Sequence, residues 1–168
     1  MALTPRPRRS DQSGRQPGTP EKPSTPPIRR ARPADLPAIE ELLSACQLPS
    51  DGVADRLGAF LLAWDGERLA GSVGVEPYGG DGLLRSLAVH PDYRDRGLGA
   101  TLTRRALRDA QRTGLLRLFL LTETASEYYP RFGFRPIPRE QAPPAVQASV
   151  EFASACPVTA VCMERRLA

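Results

Sequence analysis

Apolar positions along this chain switch between a strand-like and a helix-like period. Ile28-Arg29-Arg30-Ala31-Arg32 reads as a short first strand. Pro33 suits the first position of a helix, and Asp35 is favourable in its first turn. Leu36, Ile39, Leu42, Leu43 and Cys46 follow at helical spacing on one face, where Cys46 is expected to pack, until Pro49 ends the run. Phe60–Trp64 and Arg68–Val75 flank Asp65-Gly66, the pattern of a β-hairpin. Gly79-Gly80-Asp81-Gly82 makes a turn into a strand from Leu83 to Val89. A helix is expected to open at Gly97. Leu98, Leu102, Ala106, Leu107 and Ala110 share one side, Arg104, Arg105, Arg108 and Arg112 the other, and Gly114 is the stop. Leu118–Leu121 is a continuous apolar run, as in a strand buried on both faces. A short helix over about Ala125–Phe132 and a last strand over Val158–Leu167 complete an α/β domain with a mixed sheet.

The length of 168 residues fits one core, and the 40% hydrophobic content is that of a globular domain. Residues 1–27 stand apart. They hold seven prolines and no Ile, Val, Phe, Tyr or Trp, so they cannot bury enough surface to offset ordering and are expected to be a disordered tail, with the domain at 28–168. Five basic residues against Asp11 and Glu21 place most of the +4 net charge in that tail, which therefore says little about the domain's ligand. The tail lacks the aromatics of a nucleic-acid-binding surface. No apolar run reaches the roughly 18 residues of a membrane span. Cys46, Cys156 and Cys162 have neither zinc-type spacing nor an even count. With no apolar signal segment, a cytoplasmic protein without a metal site is expected.

Candidate chemistry concentrates in Ser86–Ala100, where a strand meets a basic, glycine-rich turn and then a helix. A helix N-terminus offers unpaired N–H groups and a dipole that favours anions. Gly97 and Gly99 let phosphate oxygens approach the backbone, and Arg94 and Arg96 add positive charge. The string R-x-x-G-x-G/A in this setting points to pyrophosphate; a glycine turn with two solvated arginines is the plainer alternative.

At these residues the chain resembles the GNAT superfamily of acyl-CoA N-acyltransferases. Arg94-Asp95-Arg96-Gly97-Leu98-Gly99 matches the family's loop, and Ala125, Tyr128, Tyr129, Gly133 and Phe134 match its second motif. The resemblance covers about Ile28–Leu167. It implies a mixed central sheet flanked by helices, with strands splayed at the CoA site. It places Leu87, Ala88 and Val89 along pantetheine, and the amides of Arg96, Gly97, Leu98, Gly99 and Ala100 around the pyrophosphate with Arg94 beside them. Acetyl-CoA is the implied co-substrate. Tyr129 is the implied general acid, or else a packing tyrosine, and Tyr128 is core or lines the CoA site.

Glu76 is the candidate base, directly or through water; a solvated carboxylate, or an amine that deprotonates through water, is the alternative. His90, the single histidine, is expected to order its turn. Arg85 and Ser86 are candidates for the acceptor side, Arg85 for carboxylate capture or else as a strand-edge arginine paired with a surface acid. The C-terminal half resembles short N-acetylglutamate synthases. Ala142-Pro143-Pro144-Ala145-Val146 and Glu151–Pro157 resemble the related N-acetyltransferases associated with arsenic resistance. Either implies a small amino-acid-like amine acceptor as partner, with neither nucleic acid nor membrane and with a homodimer left open. A protein or peptide N-acetyltransferase and a non-catalytic acyl-CoA-binding module are the competing readings. Trivalent arsenic binds thiolates, but Cys162 in a strand reads as a buried hydrophobe.

Overall fold

The strands alternate buried side chains between two sheet faces, and that alternation sorts the interior into three clusters. A computed structural model describes residues 24–167. The tail expected at residues 1–27 lies outside these, apart from residues 24–27, and Pro27 already accepts a hydrogen bond from Trp64 N at 3.1 Å.

Seven strands form one sheet: β1 (Ile28–Arg30), β2 (Phe60–Asp65), β3 (Arg68–Tyr78), β4 (Asp81–Val89), β5 (Arg117–Thr122), β6 (Arg135–Ile137) and β7 (Val161–Arg166). Their order is β1-β2-β3-β4-β5-β7-β6. Every pairing is antiparallel except β4–β5. Three helices join them: α1 (Leu36–Ala45), α2 (Leu98–Arg112) and the four-residue α3 (Pro144–Gln147).

Leu61, Ala63, Val73, Leu84, Leu118, Leu120 and Met163 face α2, whose Leu98, Leu102, Ala106 and Leu107 close that side. Their strand neighbours point the other way. Phe60 and Leu62 meet Ile39, Leu42 and Leu43 of α1. Leu83, Phe119 and Cys162 meet Ala142, Val146 and Phe152 of the segment that follows β6. Each large side chain so buried contributes about 1.5–3 kcal/mol. Two coverings, α1 and residues 139–157, thus share one face, and the sheet between them carries the cleft.

The expected hairpin, the strand to Val89 and the helix from Gly97 are all present; Gly97 is the N-cap of α2 at φ 79°, and Gly114 follows its end at φ 85°. The helix expected over Ala125–Phe132 is only a 3-10 turn at Tyr129–Phe132, ended by Gly133 at φ 82°. The helix expected from Pro33 begins as a 3-10 turn and becomes α-helical at Leu36. β6 is an additional edge strand.

Candidate active site

The sheet parts between β4 and β5. Their pairing covers only Asp81–Leu83 against Arg117–Phe119, while both strands run on past it. Backbone groups of β4 beyond Leu83 therefore lack a ladder partner on the β5 side. On its other edge β4 bulges: Ser72 pairs with Ala88 and Gly74 with Arg85, so Ser86 and Leu87 oppose the single residue Val73. Ser86 takes φ 55°, a conformation costly for a side chain, and the buried Ser72 hydroxyl donates to its carbonyl at 2.9 Å.

One lobe of the cleft, about 1020 Å³, runs along the start of α2 and is lined by Leu87, Val89, Arg94, Asp95, Gly97, Leu98, Gly99, Ala100, Tyr128 and Arg131, among others. Gly97 has open space where a side chain would be, and a Cβ on Gly99 would stand 3.3 Å from the Tyr128 hydroxyl. That hydroxyl is buried with no hydrogen-bond partner, an orphaned donor at the cleft wall. Arg94 reaches back, its Nε donating to the Val89 carbonyl at 3.1 Å. Arg96 instead turns onto the Tyr93 ring, 5.5 Å from its centroid, beside Ser24–Pro26. Only its backbone is at the helix start.

The second lobe, about 550 Å³, shares Leu87, Val89, Arg94 and the residues Glu123, Thr124 and Ala125 with the first. It continues past Ala88 and Ser86 to Tyr129, Glu151, Cys156 and the stretch Cys46–Pro49. Tyr129 is 8% exposed and packs edge-on against Phe134 and Tyr128, at centroid distances of 5.7 and 5.2 Å. Burial pushes its hydroxyl well above the ordinary tyrosine range. Cys46 does more than pack: besides contacting the α1 core it lines this lobe, with Arg94 Nη2 3.6 Å from its sulfur.

Two expected residues occupy other roles. Glu76 is not among the described residues lining either lobe. It is 2% exposed, with Oε1 paired to Arg85 at 3.1 Å and Oε2 accepting from the Tyr78 hydroxyl at 2.7 Å. A carboxylate so engaged is poorly placed to take a proton from a substrate. Burial, then the Glu76 contact, pushes the Tyr78 hydroxyl up to about 12. Arg85 is neither open for carboxylate capture nor paired at the surface. Its side chain is 1% exposed, forms an ion pair with Glu151 Oε1 at 2.8 Å, and donates to Glu76, to the Asp51 carbonyl at 2.8 Å and to Ser86 Oγ at 3.2 Å. Glu151 Oε2 accepts from the Cys156 thiol at 2.8 Å, and burial, with that carboxylate, pushes the thiol up to about 12.

His90 orders its turn: Nδ1 accepts from Asp92 N at 3.2 Å and Nε2 lies 3.2 Å from Arg68. Among the described residues, no group of three or more His, Cys, Asp or Glu gathers as a metal site, and no helix is long and apolar enough to cross a membrane. The far wall of the first lobe, Glu123–Glu127, and Glu151 of the second were missed in the sequence. The strand-end position after β5 is a signal for the former; Glu151 opens the string Glu151–Pro157, which carries a family likeness but assigns its carboxylate no role.

Residues 56–136 match the family described as an acetyltransferase (GNAT) domain. The amino-acid acetyltransferase of Edwardsiella ictaluri (strain 93-146) is 36% identical over 67 residues, which are 40% of this chain and 15% of that protein. The chain thus spans a small fraction of that relative. Among solved structures, N-acetylglutamate synthase from Neisseria gonorrhoeae, complexed with coenzyme A and N-acetyl-glutamate, superposes with a TM-score of 0.74 at 22% identity, covering 84% of this chain and 35% of that one. Rv2747 from Mycobacterium tuberculosis, in a complex that includes CoA, gives a TM-score of 0.72 at 22% identity, covering 85% and 100%. The parted strands, the glycine-opened helix and these likenesses agree: the chain has the GNAT fold, and residues 56–136 within it match an acetyltransferase (GNAT) domain.

Proposed function

We propose that this protein moves an acetyl group from acetyl-CoA to the amine of a small, amino-acid-like acceptor. The carrying observation is the opening between β4 and β5 beside the glycine-capped start of α2. Strand groups at Leu87–Val89 that have no ladder partner on the β5 side suit the amides of pantetheine, the Val89 carbonyl being met by Arg94. The first-turn amides of α2, bare at Gly97 and Gly99, suit the pyrophosphate, with Arg94 beside them. The orphaned Tyr128 hydroxyl fits a polar ligand in the same lobe.

In this reading the neutral amine attacks the thioester carbonyl, whose oxygen is polarised by a backbone N–H near Val89. The C–N bond forms, the C–S bond breaks, and the departing CoA thiolate takes the proton of Tyr129; the nitrogen's surplus proton leaves through water, and water reprotonates the tyrosinate. The raised hydroxyl keeps that proton available at neutral pH. The second lobe, about 550 Å³, is of a size for a small molecule. The amino-acid acetyltransferase and N-acetylglutamate synthase likenesses support an amino-acid-like acceptor. An arsenic-linked acceptor rests on the strings Ala142–Val146 and Glu151–Pro157 alone.

The test is release of free thiol from acetyl-CoA across a panel of amino acids, peptides and amines. Turnover confined to amino acids supports the reading. Turnover of peptides alone makes it a protein or peptide acetyltransferase. Tight CoA binding without turnover of any amine makes it a binding module.

A further inference from the structure

We propose that Glu151 receives the ammonium group of the acceptor, which then loses one proton through water to attack as the neutral amine. The inference deepens the acetyltransferase reading and rests on it. Arg85, Glu76 and Glu151 form one buried network, with side chains 1%, 3% and 7% exposed. One guanidinium faces two carboxyl groups there. A buried carboxylate without a full cationic partner is unfavourable unless another cation meets it. Glu76 lines neither lobe, so a ligand in the cleft does not reach it, and Arg85 and Tyr78 hold its two oxygens. Glu151 lines the cleft, in the lobe that also holds Tyr129, Leu87 and Ala88.

Hydrogen-bonding capacity points the same way. Each oxygen of a carboxylate can accept about two hydrogen bonds. Glu151 Oε1 stands 2.8 Å from Arg85 Nη2 in an ion pair, and Oε2 accepts one hydrogen bond, from Cys156. Capacity is left on both, at the acceptor end of the cleft, for the N–H groups of an ammonium. Arg85 and Cys156 are positioning residues that fix the carboxylate from either side. The thiol serves as donor here and not as a nucleophile, since burial keeps its proton on. The other charged groups lining the lobe, Glu123 and Arg94, both also line the lobe along α2 and oppose each other in sign, so the cationic preference rests on Glu151. The π-helical turn Glu151–Ala155 carries the residue, and its side chain reaches the sheet through Arg85.

The experiment uses the full chain, acetyl-CoA and the amino acid most rapidly acetylated among the twenty standard ones. It compares wild type, Glu151→Gln and Glu151→Asp. The α-hydroxy acid with the same side chain serves as an inhibitor that lacks the ammonium. Glu151→Gln should raise the amino acid's KM by about tenfold or more, as expected for loss of a charge-assisted contact. The KM for acetyl-CoA and inhibition by the hydroxy acid should change by less than about threefold, within 0.7 kcal/mol by the same conversion (roughly). Glu151→Asp should recover part of the loss. A purely structural role would weaken amino acid and hydroxy acid together; that result, or an amino-acid KM that stays put in Glu151→Gln, overturns the assignment while leaving the acetyltransferase reading intact. Absence of turnover with every amino acid in wild type overturns the acceptor reading, and this assignment with it.

Discussion

Tyr128 and Tyr129 are neighbours in the chain with different surroundings. Tyr128 turns its unpartnered hydroxyl toward the lobe beside α2, and Tyr129 lines the lobe that ends at Glu151. If Tyr129 protonates the leaving thiolate, Tyr129→Phe should lower kcat by about 10²-fold with the KM for acetyl-CoA little changed. Steady-state kinetics checks this; an unaltered kcat removes the tyrosine from the chemistry. Burial raises the Tyr129 hydroxyl above its ordinary value near 10, so any alkaline loss of rate due to this donor should fall above about pH 10. The place of Tyr129 on the cleft wall was legible because a local motif carries it. The true surroundings of Glu76 and Arg85 were not. Glu151, the third member of their network, lies far along the chain on a segment whose packing against the sheet no periodicity announces.

At the scale of elements, β4 and α2 form the working pair, and their approach depends on a residue with no side chain. A Cβ on Gly71 would stand 2.8 Å from Leu102 Cδ1 of α2 and 3.0 Å from the Ala88 carbonyl of β4. Gly71→Ala should therefore destabilise the fold by about 1–3 kcal/mol through overpacking. Chemical denaturation measures this, and an unchanged midpoint would show that the helix–strand spacing is slack. The α2 boundaries could be read from Gly97 and Gly114, since both ends rest on positive-φ glycines. β6 could not, because Pro136 argues against a strand. It is tolerated because β6 lies at the sheet edge, where a missing N–H breaks no central ladder. The shortened helix before Gly133 follows from a turn that pairs Tyr128 N with the Ala125 carbonyl, at 2.9 Å, in place of continuous helix.

Across the whole molecule, α1 must stay against β2 and β3 for the cleft wall at Cys46–Pro49 to be in place. Asp35 fastens its start. Its carboxylate accepts from both terminal nitrogens of Arg29, at 2.7 and 2.9 Å, and from Arg32 N at 2.7 Å. The Arg29 hydrogen bonds come first among the causes that hold this carboxyl below the ordinary range. A carboxyl lowered in the folded state stabilises above its unfolded value, near 3.9, and loses that contribution as pH falls through the folded value. Asp35→Asn should thus cost about 1–2 kcal/mol at pH 7, the difference from wild type shrinking toward pH 2. Thermal melts across pH test it, and a pH-independent difference would mean that charge is not what fastens the helix. The central claim is that CoA lies against the start of α2 between the parted strands. Calorimetric titration of CoA into wild type, Gly97→Ala and Gly97→Glu tests it most directly. Both variants share the strain of a side chain at φ 79°, and only the second sets a carboxylate against the pyrophosphate. Gly97→Glu should bind CoA at least about tenfold more weakly than Gly97→Ala. Equal affinity in the two variants would contradict it.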